Sequence, residues 1–204
     1  MLTNQRMELM EFSVRQMEIV NAAIAIIANE GYEKLTTKKL ATKMGFTEAA
    51  LYKHISSKRE LVLMILGYFD DVSRVVLSKV RALNLNPLES IRLFVLDRFR
   101  IFESNPALAK VMFSEELFKN DPSFTEQYLK MMHNHRDEIS RYIILAQQQN
   151  MIKADYHPVQ VFRIIMGATR LLVTQWTMNK GSFDLQSEGT DLIDTIIKLI
   201  EVER

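Results

Sequence analysis

Apolar residues recur every three or four positions along most of the chain, and no strand-length alternation holds up, so the pattern predicts an all-α protein. Ile19, Ala23, Ile26 and Ile27 repeat at helical spacing behind a capping box of Ser13 and Gln16, and Gly31 ends that helix. Thr36 suits the N-cap of a helix over about 37–44, with Leu40, Ala41 and Met44 inward. Gly45 stands where a helix end favours positive φ. After Phe46, Thr47 caps a short helix with Leu51 and Ile55 inward and Glu48, Ala49, Ala50, Tyr52, Lys53 and His54 outward. Ser57 and Glu60 make a further capping box. From Lys58 a long helix runs to about Leu83 on a stripe of Val62, Ile65, Leu66, Phe69, Val72 and Val76.

Asn84-Leu-Asn-Pro87 breaks that helix. The next, over 88–104, is apolar almost all round except for Asp97, Arg98 and Arg100, so it is expected to be buried. Pro106 opens a short helix through Met112, and Lys119-Asn-Asp-Pro122 marks a loop. A helix over about 122–149 carries Phe124, Tyr128, Met132, His135, Ile139, Tyr142 and Ala146 on one face. The last two are expected over 159–180 and 188–202, with a break at 181–187. Their apolar positions outnumber what one face needs, and Gly167 and Ala168 would admit a second helix closely, so the pair reads as half of a four-helix dimer interface. The division expected is a three-helix head, residues 1–57, and a helical body, 58–204. Residues 1–12 read as a disordered end rather than a frayed extension of the first helix or an arm reaching phosphate through Arg6.

Helix, short glycine turn and helix is the helix-turn-helix pattern, whose second helix lies in the DNA major groove. Charge agrees: residues 34–60 hold seven basic side chains against two acidic, a net of +5, while the whole chain is only +1. A basic head on a mildly acidic body suits phosphate binding. By itself the pattern is also that of a solvated helical hairpin with incidental lysines.

Particular residues add a resemblance. Asn29-Glu-Gly-Tyr32, Thr36-Thr-Lys-Lys-Leu-Ala41, Met44-Gly-Phe-Thr47 and above all Leu51-Tyr-Lys-His-Ile-Ser-Ser-Lys-Arg-Glu-Leu61 resemble the N-terminal domain of the TetR/AcrR family of transcriptional regulators, over roughly 13–64. The resemblance implies an N-terminal DNA-reading domain, a C-terminal domain for dimerisation and ligand binding, and no catalysis. Carried over residue by residue, it implies that Thr37, Lys38 and Lys58 bind phosphate. Glu48, Ala49, Ala50 and Lys53 would face base edges, and Tyr52 and His54 would pack on the sugar-phosphate backbone. Lys53 suits guanine O6/N7 and Glu48 cytosine N4, while the two alanines can at most touch a thymine methyl.

An effector cavity would lie among the body helices, with Phe99, Phe102, Met112, Phe113, Tyr128, Met132, His135, Phe162, Met166 and Trp176 as liners and Arg98, His135, Arg170 or Gln175 as polar anchors. Methionines and aromatics suit a large, adaptable apolar ligand. Each liner taken singly reads as core, and only the set suggests a cavity. No cofactor is expected. The six glycines are too scattered for a phosphate loop, no Gly-x-Ser-x-Gly occurs, and the absence of cysteine excludes disulfides and thiolate metal sites. His133 and His135 diverge on a helix and cannot share a metal, and Glu115-Glu116 reads as a solvated helix end. The chain start lacks a signal-peptide pattern and the longest apolar run, from Leu61 to Phe69, is too short to span a bilayer, so a cytoplasmic place is expected.

The expectation is therefore a homodimeric repressor on a pseudo-palindromic operator, released by a small apolar effector. The alternatives are a DNA-bound adaptor whose body holds a protein partner, and a small helical enzyme.

Overall fold

The computed structural model describes residues 12–118 and 121–202; the chain start and residues 119–120 of the expected loop lie outside these, as do the side chains of residues 115 and 116. The helices in chain order are α1 (Val14–Glu30), α2 (Thr37–Met44), α3 (Glu48–Leu51), α4 (Lys58–Ala82), α5 (Pro87–Ser104), α6 (Pro106–Met112), α7 (Glu115–Phe118), α8 (Pro122–Gln148), α9 (Pro158–Met178) and α10 (Leu185–Ile200). A 3-10 turn, Tyr32–Lys34, joins α1 to α2. The described residues form no strand; Ile152 and Glu201 make an isolated antiparallel bridge.

Two compact units divide after Val72, inside α4. The first four turns of α4 thus belong with the helix-turn-helix, and α4 continues unbroken into the second unit.

In the first unit the caps do what their side chains allow. Ser13 and Gln16 form the reciprocal capping box of α1, and Gly31 ends that helix at φ 91°. The Thr36 side chain accepts from the Lys39 N–H and the Thr47 side chain from the Ala50 N–H. Gly45 adopts the left-handed conformation, φ 69° and ψ 28°, that closes α2 so tightly that only Phe46 separates it from the cap of α3. The box at the start of α4 is only half formed. The Ser57 hydroxyl accepts from the Glu60 N–H, but the Glu60 carboxylate turns to the N–H and hydroxyl of Ser56. Those hydrogen bonds hold the Glu60 carboxyl below its ordinary pKa. Ile19, Val20, Ala23, Leu40, Leu51 and Ile55 supply the core. Burying a side chain such as Leu51 contributes about 1.5–3 kcal/mol.

In the second unit α5 is central, packed against α6, α8, α9 and α10. Its near-continuous apolar surface explains this: Ile91, Phe94, Val95, Phe99 and Phe102 are all buried. Asp97 and Arg98 are buried as well, whereas Arg100 is exposed. Asp97 accepts from Lys79 Nζ and Arg100 Nη1, each at 2.7 Å, and Glu138 of α8 accepts from Arg81 Nε at 2.7 Å. The last turns of α4 are thereby tied to α5 and α8 through two buried carboxylates. On α8, Met131 rather than Met132 enters the core, Met132 being half-buried.

The expected end of α9 and start of α10 both shift. Helix α9 stops at Met178, and α10 begins at Leu185 because the Asp184 carboxylate accepts from the Gln186 and Ser187 N–H groups. Gly189 presses against Phe99 of α5: a Cβ there would sit 2.4 Å from the ring. No described helix is long and apolar enough to cross a membrane.

Candidate nucleic-acid interface and effector site

Helices α2 and α3 present one polar face. Leu51 and Ile55 anchor the recognition segment inward, and Glu48, Ala49, Tyr52 and Lys53 are exposed beside the half-buried Ala50 and His54. Tyr52 keeps 50% of its surface, so the residue is an outward aromatic and not a core one. Helix α3 is a single turn, after which residues 52–54 continue as a turn that carries Tyr52, Lys53 and His54 onward. The Thr37 hydroxyl donates to Glu48 Oε2 at 2.8 Å, and the Tyr52 hydroxyl lies 3.5 Å from Thr37 Oγ1. Lys38 is exposed at the start of α2.

Lys58 has a definite seat. Its ammonium donates to the Tyr32 carbonyl at 3.1 Å and sits 3.8 Å from the centre of the Tyr32 ring. Burial draws its pKa below the ordinary lysine value, against an opposing pull from Glu33. An ammonium has three donors, so this seat leaves it the capacity to bind a phosphate.

Three contacts of this face escape sequence spacing. Lys39 pairs with Glu30 of α1, Arg15 lies over the Phe46 ring with its guanidinium carbon 4.8 Å from the centre, and Tyr32 holds Lys58 across 26 positions. The only signal in the sequence was the aromatic character of Tyr32 and Phe46 at element ends.

Within the second unit the expected effector residues fall into separate groups. Phe102 and Phe113 pack with ring centres 5.2 Å apart. Arg170 of α9 lies over Phe113, 5.8 Å from the ring centre, and its Nη2 donates to the Phe113 carbonyl at 3.4 Å. Arg98 Nη2 lies 3.1 Å from His135 Nδ1 and 3.5 Å from its Nε2, and the guanidinium carbon lies 4.4 Å from the Phe94 ring centre. Tyr128 joins the two groups: both Arg98 and Arg170 act on its hydroxyl, although burial dominates and raises its pKa. Burial lowers the Arg98 pKa to about 10, leaving it charged at neutral pH. Burial, then the Arg98 charge, holds the His135 imidazole well below its ordinary value, hence neutral.

Phe99, Phe102, Met112, Phe162 and Trp176 are buried, and Phe113, Tyr128, Met132 and Met166 half-buried. Trp176 stands apart from the arginine cluster: its Nε1–H donates to the Phe183 carbonyl at 3.1 Å and its ring covers Gly181 at the α9–α10 turn. Gln175 is exposed. A cleft of about 300 Å³ opens between α6 and α9 beside Phe113, with Lys110, Thr177 and Lys180 on its walls. Another, of about 440 Å³, lies between α5 and α10 around the Arg92–Asp194 pair. Among the described residues no three histidine or acidic side chains are grouped to hold a metal ion.

Comparison with known proteins gives two family matches. Residues 19–65 match the tetR family of bacterial regulatory proteins, and residues 85–202 match the C-terminal region of MAATS-type transcriptional repressors. A probable acrEF/envCD operon repressor of Escherichia coli strain K12 is 24% identical over 189 residues, 90% of this chain and 86% of that protein. The ketosteroid transcriptional regulator KstR2 of Mycobacterium tuberculosis shares the fold with TM-score 0.81 at 22% identity, over 95% of this chain and 98% of that one. The transcriptional regulator FadR of Bacillus subtilis, solved in complex with stearoyl-CoA, shares it with TM-score 0.76 at 19% identity, over 90% and 98%.

Proposed function

The chain belongs to the TetR family of bacterial regulatory proteins, a family of DNA-binding transcriptional regulators and not of enzymes, and from that footing we propose that it is a homodimeric repressor released from a pseudo-palindromic operator by a largely apolar effector. The observation that carries the reading is the exposed α2–α3 face, with Lys53 and Glu48 outward over the buried Leu51 and Ile55. In this reading Lys38, Lys58 and the start of α2 hold phosphates. Lys53 reads guanine, Glu48 accepts from cytosine, and Tyr52 and His54 lie along the backbone. The protein acts in the cytoplasm, where its DNA is.

The dimer uses α9 and α10. Ile164, Leu171 and Met178 are 56%, 59% and 77% exposed and fall at sevenfold spacing, with exposed Gly167 between the first two and exposed Leu199 on α10. That is a seam at which one helix can lie close to another. Leu171→Arg is expected to turn a dimer into monomers at micromolar concentration, since an unpaired charge buried at the seam costs about 3 kcal/mol or more per protomer. Sedimentation measures this, and an unchanged mass would move the interface elsewhere. Two heads so joined read half-sites about 34–36 Å apart.

The effector is taken up by the aromatic and methionine side chains around Phe102, Phe113, Tyr128 and Met132, with Arg98, His135 and Arg170 as polar anchors. Helix α4 is the physical link, and an effector that favours one head spacing by ~1–3 kcal/mol lowers operator affinity roughly 5- to 150-fold. Selection of DNA from a random duplex library at fixed salt, with the mass determined in solution, tests the reading. A pseudo-palindrome bound by a dimer supports it, and sequence-blind binding opposes it. Stearoyl-CoA is the first effector to try, because a regulator of the same fold holds it. On the selected site, Lys53→Ala is expected to relax the preference at one base pair per half-site by ~1–3 kcal/mol while leaving the salt dependence as it was.

A further inference from the structure

The Thr37 hydroxyl has one proton, and it points at Glu48 Oε2 across 2.8 Å. A carboxylate only accepts, so Thr37 is the donor in this pair. The same proton cannot also serve a DNA phosphate. The Tyr52 hydroxyl, 3.5 Å from Thr37 Oγ1, completes a chain in which Tyr52 donates to Thr37 and Thr37 to Glu48. The three side chains come from α2, from α3 and from the turn that follows α3, and they lie on the outward face. Phosphate binding at the start of α2 is left to backbone N–H groups of its first turn and to Lys38.

We infer that Thr37 is a positioning residue for base readout: it fixes the Glu48 carboxylate by Oε2 so that Oε1 is presented to a donor in the major groove, the exocyclic amino group of cytosine. This rests on the reading of the α2–α3 face as the DNA face. Of the four bases, cytosine offers a donor there without an acceptor beside it on the same base, whereas adenine N7, guanine O6/N7 and thymine O4 repel a carboxylate. A free glutamate would have several rotamers to lose on reaching a base; the tie across the two helices removes most of them beforehand. The device acts as a selector as much as an attractor, because a fixed carboxylate penalises every acceptor-only edge.

The test uses the duplex selected by the wild-type protein and its single-base variants, with affinity measured over a range of salt. Thr37→Val is expected to reduce the preference for a C·G pair at one position per half-site about tenfold, with the salt slope unchanged. Thr37→Ser is expected to restore it. Glu48→Ala is expected to abolish that preference, roughly 5- to 150-fold, and adding Thr37→Val to it should cost nothing further at that position. A Thr37→Val protein that binds all variants equally more weakly, with the preference at that position intact, would make Thr37 a hydrogen-bond donor to phosphate and overturn the inference. So would a Glu48→Ala protein with its preference intact. A wild-type chain that selects no sequence would overturn the DNA-face reading itself.

Discussion

Gly189→Ala is expected to destabilise the protein by about 1–3 kcal/mol, seen as a lower urea midpoint at unchanged slope. Two effects oppose each other at this position. In an open helix, alanine in place of glycine is favourable by up to ~1 kcal/mol. Here the added methyl would stand 2.4 Å from two ring carbons of Phe99, which is itself fully buried in α5. A ring packed on all sides cannot swing aside, so the overlap wins over propensity. The second arm of the experiment is Phe99→Leu in the Gly189→Ala background, which is expected to recover part of the loss by making room. Gly167, where a Cβ meets nothing within 4 Å, is the control: Gly167→Ala in a monomeric Leu171→Arg background should be neutral to stabilising. A stabilised Gly189→Ala protein would mean that α10 does not seat on Phe99.

The second large effect is a fall in stability below about pH 6.5. His135 is buried against the Arg98 guanidinium and has its pKa pushed well below the ordinary value, first by burial and then by the Arg98 charge. For a base lowered on folding, the unfolded chain takes up the proton first. Stability is therefore full above the unfolded pKa, ~6.5, and declines as pH drops below it, by at most ~1.4 kcal/mol per pH unit. Between pH 6.5 and 5 the loss is bounded at about 2 kcal/mol. Glu138, lowered chiefly by its hydrogen bond with Arg81, loses its contribution only as pH falls through the carboxylate range, so the two windows separate. His135→Gln retains an acceptor for Arg98 but does not titrate, and its stability curve should be flat between pH 6.5 and 5. Parallel curves for the two proteins would assign the acid loss elsewhere.

The architecture was legible because local chemistry and periodicity agreed. Thr36, Gly45, Thr47, Asn86 and Pro106 each stand at an element end, and caps act over three or four residues, within reach of inspection. The misplaced start of α10 is the instructive exception. Ser187 and Glu188 look like helix openers, yet Asp184 captures the free N–H groups three residues earlier, which lets Leu185 enter the core. Capping preferences rank candidates but do not decide between two nearby ones; packing does.

The site was legible as a set of exposed residues and not as a set of contacts. That Lys53 faces outward follows from Leu51 and Ile55 facing in. That Thr37 reaches Glu48, or that Tyr32 holds Lys58, depends on how α1, α2, α3 and α4 cross, which no spacing encodes. The body shows the same limit. Phe99 meets Gly189 and Trp176 closes the α9–α10 turn, contacts that residue type alone does not foretell.

The seat of Lys58 makes that lysine its own spectroscopic reporter. With the ammonium 3.8 Å from the centre of the Tyr32 ring, the neighbouring methylene protons lie where the ring current shields them, so their NMR signals should stand upfield of every solvated lysine. If DNA draws the ammonium from the ring to a phosphate, those signals move back among the rest. If the lysine binds phosphate from its seat, they stay.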